Sequence, residues 1–495
     1  MQQLTAAQIV DSMPQTFLPQ RARGINLTIR LELAGEGGGN WQLTLADGSL
    51  RVKEGTGHTV SAVIKMTGRS FAEMMQGQAD PKALQAVGGM EVLGLPAVAI
   101  GLASLFNLNE QQAPVAKPGG MSGRQRVLAA LRGLPVDRIP CALFAENYFL
   151  LGAPPEIAQG VIEAPRQLGM DIILRHVPVL QSADLGFLGA LGSFRSPVEY
   201  SKESEGDRVV EKIKTPRGGL TGVSAFTKSV GWIPHPVKHA VETREDLMIL
   251  RYAMDYLSPG DLSPAYEGFN LVDQAVGDDG IATPSLNNSP LMHAVETVAG
   301  LTHLYYLMQD EPVLVDEILT MLAENHLKVV EAVAQSPAQV VVTYDNTSTT
   351  LLSPELFKKY CLPYLNASAD ILHSHGKIHL VHMCGKLRNL REGIAAGRFD
   401  GIVDISPGPT GDWPLDAAVK ALPGKSVCGG IDATTFVSED MEAVRAEVSG
   451  VIERAKPYRG VLLGSGDCVP RGARVENIRL IRELVETLGT YPISK

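Results

Sequence analysis

The sequence predicts an α/β protein, a (β/α)8 TIM barrel preceded by a small α+β domain. Three observations predict it. Up to about residue 110, apolar residues alternate with polar ones in short runs, the rhythm of half-buried strands. The stretch NEQQAPVAKPGG (109–120) is polar and rich in Pro and Gly, the composition of a linker. From Met121 onward, short strands apolar on both faces alternate with helical segments, as in a parallel sheet covered by helices. The domains are therefore placed at 1–110, a linker at 111–120, and the barrel at 121–495 of the 495 residues.

In the first domain, INLTIRLEL (25–33) sets Ile25, Leu27, Ile29, Leu31 and Leu33 on one face. WQLTLADGSLRVKEG (41–55) alternates on both sides of Asp47-Gly48, a hairpin turn signal. VSAVIKMTG (60–68) adds a strand. Ser70 is expected to cap a short helix ending at Gly77, and Pro96 to open a last apolar helix running to Phe106. In the second domain, Ser122 caps the amphipathic SGRQRVLAALRG, and RIPCALFA (138–145) reads as a buried strand. GMDIILRHV, PAQVVVTYD, GKIHLVHMC, FDGIVDIS, GKSVCGGID and RGVLLGSGD supply further strands. FRSPVEYSKESEGDRVVEKIKTPRGGLTG (194–222) reads as an inserted hairpin. The barrel is expected to bury its own core.

The formal net charge of −10 argues against a nucleic-acid or anionic-membrane surface. No basic stretch followed by an apolar core opens the chain, so no signal peptide is expected. The longest apolar run, LGLPAVAIGLASLF, is too short to span a bilayer and contains Pro96. Five scattered cysteines do not make a disulfide framework and fit a reducing cytoplasm.

In a (β/α)8 barrel the chemistry lies at the C-terminal strand ends. Those ends carry Glu146, His176, Asp345, His382, Cys384, Asp404, Asp432 and Cys468. His382 and Cys384 leave one strand two residues apart, hence side by side. One imidazole and two thiolates suit Zn2+ with an open position. The third ligand is either Cys428, inside its strand where a free cysteine packs, or Cys468, beyond its strand in a Gly-rich turn. On spacing alone this is weak evidence for a metal site, and buried structural residues are the alternative. Glu146 can approach the metal or sit on the surface. Asp345 can orient substrate, and Asp432 can do so or cap the next helix. These three are the catalytic candidates.

Two resemblances sharpen this reading. LTIRLEL, WQLTLADG and RVKEG resemble the sterol carrier protein type-2-like domain, which implies an interior able to hold an apolar ligand. MSGRQRVLAALRGLPVDRIP, LLSPELFKKYCLPY (351–364), HLVHMCGK, VCGGIDA (427–433) and GSGDCVPRGARVENI (464–478) resemble the uroporphyrinogen decarboxylase superfamily. Within it they resemble the cobalamin-dependent methyltransferases. That resemblance implies zinc on His382, Cys384 and Cys468, the last followed by Glu476-Asn477. The decarboxylase branch carries arginines after the first strand for its substrate's carboxylates, whereas this chain reads CALFAENYFLLG.

The resemblance also implies methyl transfer from a small methylated donor, an O-methyl aromatic or other methoxylated compound, to the cobalamin of a separate corrinoid protein. DILHSHG (370–376) does not match the cobalamin lower-ligand motif, so the corrinoid is expected on a partner. His373 and His375 are read as surface residues near a helix end. The rivals are methyl transfer from the corrinoid to a thiol such as coenzyme M, a decarboxylase-like lyase, and a lipid or sterol carrier with a structural barrel.

Overall fold

In the computed structural model the described residues are 4–106, 120–181, 192–226 and 234–491, apart from 36, 58–59, 80, 87, 96, 155–156 and 158–159. Pro96 and the proposed linker, save Gly120, lie outside them. The described chain forms two compact units. One comprises residues 1–179, 265–284 and 403–495, the other 180–264 and 285–402.

The first unit opens with a five-stranded sheet. Asn26–Ala34 pairs antiparallel with Gly39–Ala46, which turns at Asp47-Gly48 into Ser49–Glu54. Asn26–Ala34 also pairs parallel with Ala62–Thr67, which pairs with the edge strand Met90–Gly94. Ile29 and Leu31 are fully buried, as the alternation requires. The following helix, Gly68–Met75, is capped by Thr67, whose side chain accepts from the Ser70 amide. This corrects the expected Ser70 cap. The last helix covers only Val98–Leu102 before a 3-10 turn.

The interior of this sheet-and-helix module is not closed by its own residues. Its apolar cluster includes Ala265 and Leu271, at the start of and within the helix Tyr266–Val276, which belongs to the second predicted domain. Gly101 allows the approach, since a Cβ there would lie 2.5 Å from Leu271 Cγ. Gln274 adds a hydrogen bond from Nε2 to the Arg23 carbonyl at 2.9 Å. This helix of the second predicted domain thus also packs into the core of the N-terminal module. Burial of Leu271 alone is worth about 1.5–3 kcal/mol.

The same unit holds parallel strand pairs. Ile172–Leu174 pairs with Gly280–Ala282, and Ser426–Ile431 with Val461–Ser465. RIPCALFA is buried but contributes an isolated parallel bridge, Cys141 to Leu463, rather than a regular strand. Ser122 caps Gly123–Leu131 with a full capping box to Gln125. From that helix Arg126 reaches Asp137 and Asp171, and Arg138 also grips Asp171. Asp171, 2 % exposed, further accepts from the Cys141 amide at 2.8 Å. A buried carboxylate needs this many donors.

In the second unit Ser285–Leu286, Val340–Tyr344 and Ile378–His382 run parallel, with Tyr344 beside His382. The inserted segment is larger than the expected hairpin. Four antiparallel strands, Glu199–Glu205, Arg208–Thr215, Gly218–Phe226 and Pro234–Lys238, form a meander. Among the described residues no helix is long and apolar enough to cross a membrane.

Candidate functional site

The sequence-predicted residues fall into two groups, one in each unit. In the second unit they sit where three parallel strands end. His382 closes its strand, is 2 % exposed, and stacks on Tyr344 with ring centroids 5.2 Å apart. Its carbonyl accepts the Asp345 amide at 3.1 Å. Cys384 is half-buried. It precedes Gly385, whose φ of +81° and proposed Cβ distance of 2.9 Å to Ser348 Oγ exclude a side chain and set the turn that carries the thiol.

Asp345 is fully buried. It accepts from the Ser289 amide at 2.6 Å and from the Thr347 hydroxyl. Burial raises its carboxyl above the usual range, although those bonds pull it down. A residue that the sequence reading missed joins this group. Glu296 accepts at Oε2 from Asn288 and Asn346, and burial pushes its carboxyl up to about 7. In LMHAVETVAG it looks like any polar helix position.

The first unit holds Glu146, Cys468 and Asp432. Glu146 begins the helix Glu146–Leu151. Its Oε1 accepts the Arg175 amide at 3.0 Å, while its buried Oε2 has no hydrogen-bond partner. The Arg175 guanidinium is fully buried, binds both oxygens of Asp404, and lies 4.0 Å over the Phe144 ring. Asp404 (φ +71°) and His176 (φ +57°) hold left-handed backbone at these strand ends, conformations that cluster at functional sites.

Cys468 is half-buried beyond its strand. Burial, then the charges of Asp467, Glu146 and Asp404, push its thiol far up, with Arg175 opposing. Cys428 is buried in its strand, its Sγ 3.8 Å from the Ala142 carbonyl, and burial takes its thiol to about 12.

Asp432 is saturated. Thr434 donates twice to Oδ1, and Thr410 (twice) and Ser406 donate to Oδ2. It caps Ala433–Val437 and ties the Ser406–Thr410 loop, the capping alternative left open by its sequence. Asn477 likewise clamps a loop, donating to the carbonyls of Thr435, Phe436 and Ser438. His373 pairs with Asp400 at 2.9 Å and is part-exposed.

With this geometry in hand, the family description Uroporphyrinogen decarboxylase (URO-D) matches residues 224–488, more than half of the chain. The chain belongs to the uroporphyrinogen decarboxylase family. Residues 8–107 match the SCP-2 sterol transfer family, so this family member carries an N-terminal domain of that type.

One relative is the methylcobamide:CoM methyltransferase MtbA of Methanosarcina mazei, 21 % identical over 66 % of this chain and 88 % of that protein. Another is a uroporphyrinogen decarboxylase of Carboxydothermus hydrogenoformans, 26 % identical over 37 % of this chain and 51 % of that protein. A solved methyltransferase from Methanosarcina mazei superposes with a TM-score of 0.50 at 16 % identity, covering 74 % of this chain and 99 % of that one. The fold is thus a TIM barrel preceded by an SCP2-type α+β domain.

Among the described residues no three His, Cys, Asp or Glu side chains stand grouped to hold a metal ion. The donor chemistry nevertheless fits a cation. The orphaned Oε2 of Glu146 and a thiol set among carboxylates are both groups that a bound cation would relieve.

Proposed function

We propose that this chain is a zinc-dependent methyltransferase that moves a methyl group from a small methoxylated donor to the corrinoid of a partner protein. The observation that carries the reading is the placement of His382, Cys384 and Cys468 at or just beyond C-terminal strand ends, in a chain similar to a methylcobamide methyltransferase. His382, Cys384 and Cys468 would hold the metal, with Glu146 beside Cys468. Zinc, when bound, supplies a Lewis acid for the heteroatom that carries or receives the methyl group. His382 is held in orientation by the Tyr344 ring. Asp345 fixes the strand-end loops through Ser289 and Thr347, so that donor and acceptor can be lined up for displacement. Cobalamin belongs to the partner.

Zinc stoichiometry and corrinoid methylation in two cysteine variants test the reading. Cys468→Ser is expected to lose metal and methyl transfer together, because a hydroxyl is a poor zinc ligand. Cys428→Ser is expected to keep both, losing only some stability from a polar group in an apolar place. The reverse pattern overturns the ligand assignment.

A second reading is favoured by the MtbA relative, whose name states a CoM acceptor: the methyl group passes from the corrinoid to a thiol. Activity with free methylcobalamin and a thiol, without any ether, selects it. A decarboxylase reading is less well supported. Arg175, whose amide donates to Glu146, already has its guanidinium committed to Asp404.

A further inference from the structure

Glu296 lies in a single π-helical turn, Ala294–Val298, directly after the short helix Pro290–His293. Such turns interrupt a regular helix where a side chain must be re-aimed, and they are frequent at functional sites. Here the turn places the carboxyl between two strand-end loops. Asn288 follows Ser285–Leu286 and donates from Nδ2 at 3.0 Å. Asn346 follows Val340–Tyr344 and donates at 3.2 Å. Asn346 has a φ of +47°, a left-handed conformation that asparagine tolerates better than most residues. Both amides act on the same oxygen, Oε2.

The two donors on one oxygen fix the orientation of the carboxyl and by themselves favour its charged form. Burial is the larger effect and keeps the group protonated up to about 7, which leaves Oε1 as the oxygen able to carry the proton. Among the described residues no Lys or Arg forms an ion pair with Glu296; its hydrogen bonds come from the two amides. The ionisable groups acting on it are Asp345, whose charge opposes its ionisation, and His382, whose charge favours it; burial outweighs both. His382 also ends the strand next to Val340–Tyr344, so the acid stands on the same set of strand ends as a residue assigned to the metal.

We propose that Glu296 gives its Oε1 proton to the departing oxygen of the methyl donor, and that the donor is therefore a neutral ether whose leaving group is strongly basic. This rests on the methyl-transfer reading above. In the step, the methyl carbon–oxygen bond breaks and its electron pair stays on oxygen. The Glu296 proton bonds to that pair and releases a neutral alcohol or phenol. The methyl carbon bonds to the two-electron nucleophile of the co-substrate, the low-valent cobalt of the corrinoid protein, which is thereby oxidised by two electrons. Glu296, left as a carboxylate, is reprotonated by solvent.

The test uses the full chain with its corrinoid protein and a series of aryl methyl ethers whose phenols span a wide range of acidity. Methyl transfer is followed by corrinoid absorbance. In Glu296→Gln the rate is expected to fall by roughly 10²–10⁴-fold for ethers of weakly acidic phenols, the usual worth of general acid catalysis. The loss should shrink steadily as the phenol becomes more acidic, and Glu296→Asp should recover part of it. Unchanged zinc content and thermal melting in both variants separate this from a folding defect. If Glu296→Gln is unimpaired, or impaired equally across the series, the proton-donor assignment falls while the methyl-transfer reading stands. If the unaltered protein transfers methyl from none of the ethers, both fall.

Discussion

His326 shows how a single buried side chain sets an acid limit on the fold. It sits in the long helix Pro312–Ala334 and is 1 % exposed. Its ring meets His293 at 5.8 Å and Tyr364 at 6.0 Å, both edge-on. Burial first, and the neighbouring His293 second, lower its ionisation to about 3, against about 6.5 in an unfolded chain. Between those values the unfolded state binds the proton and the folded state does not, so stability is lost as pH falls from about 6.5 towards 3. Urea midpoints measured at pH 7.5 and pH 5 should therefore drop less in His326→Gln than in the unaltered protein. An equal drop would show that other groups control acid unfolding.

Residue-scale chemistry was only partly legible in the sequence. His382, Cys384 and Cys468 stood out because cysteine is scarce and because strand ends can be counted from apolar runs. The capping alternative for Asp432 was readable from its place before a helix. Glu296 was not readable. Its π-helical turn and its two asparagine partners, 58 residues apart in the chain, exist only once the strand-end loops are assembled. Arg175 is equally silent in the sequence, because its partner Asp404 lies far along the chain.

Among elements, the junction between the SCP2-type module and the helix Tyr266–Val276 matters most. Leu271 lies inside the module's apolar cluster, so its truncation leaves a cavity in a packed interior. Leu271→Ala is expected to cost about 2–5 kcal/mol, read from denaturant midpoints. A chain beginning at Met121 uncovers the whole face of that helix. It is expected to aggregate on size exclusion and to bind a hydrophobic dye. A monodisperse, dye-silent 121–495 would refute the shared core. Alternation and the Asp47-Gly48 turn made the module's strands legible, but the pattern of Tyr266–Val276 shows only that one side is apolar. Nothing local to it names the partner. The inserted meander runs past the expected hairpin because its fourth strand, Pro234–Lys238, contains Pro234 and Pro236, which argue against a strand in the sequence and are tolerated at a sheet edge.

At the scale of the whole molecule, the first unit is assembled from three separate stretches of chain. Ile172–Leu174 finds its parallel neighbour in Gly280–Ala282, and Cys141 its bridge partner in Leu463. A fragment of residues 1–264 contains one side of each pairing and neither completion. It is expected to show no cooperative thermal transition by circular dichroism. A sharp transition there would mean that the early segments fold without the late ones.

The Gly101–Leu271 contact also sets a timetable for synthesis. The N-terminal module leaves the ribosome before the helix that completes its core: Leu271 is made some 165 residues after Phe106, the last described residue of the module. At roughly 5–20 residues per second, the nascent module waits about 10–30 s with an apolar face uncovered. During that interval the half-made chain is a client for chaperones, and pauses in translation before residue 271 would lengthen its exposure.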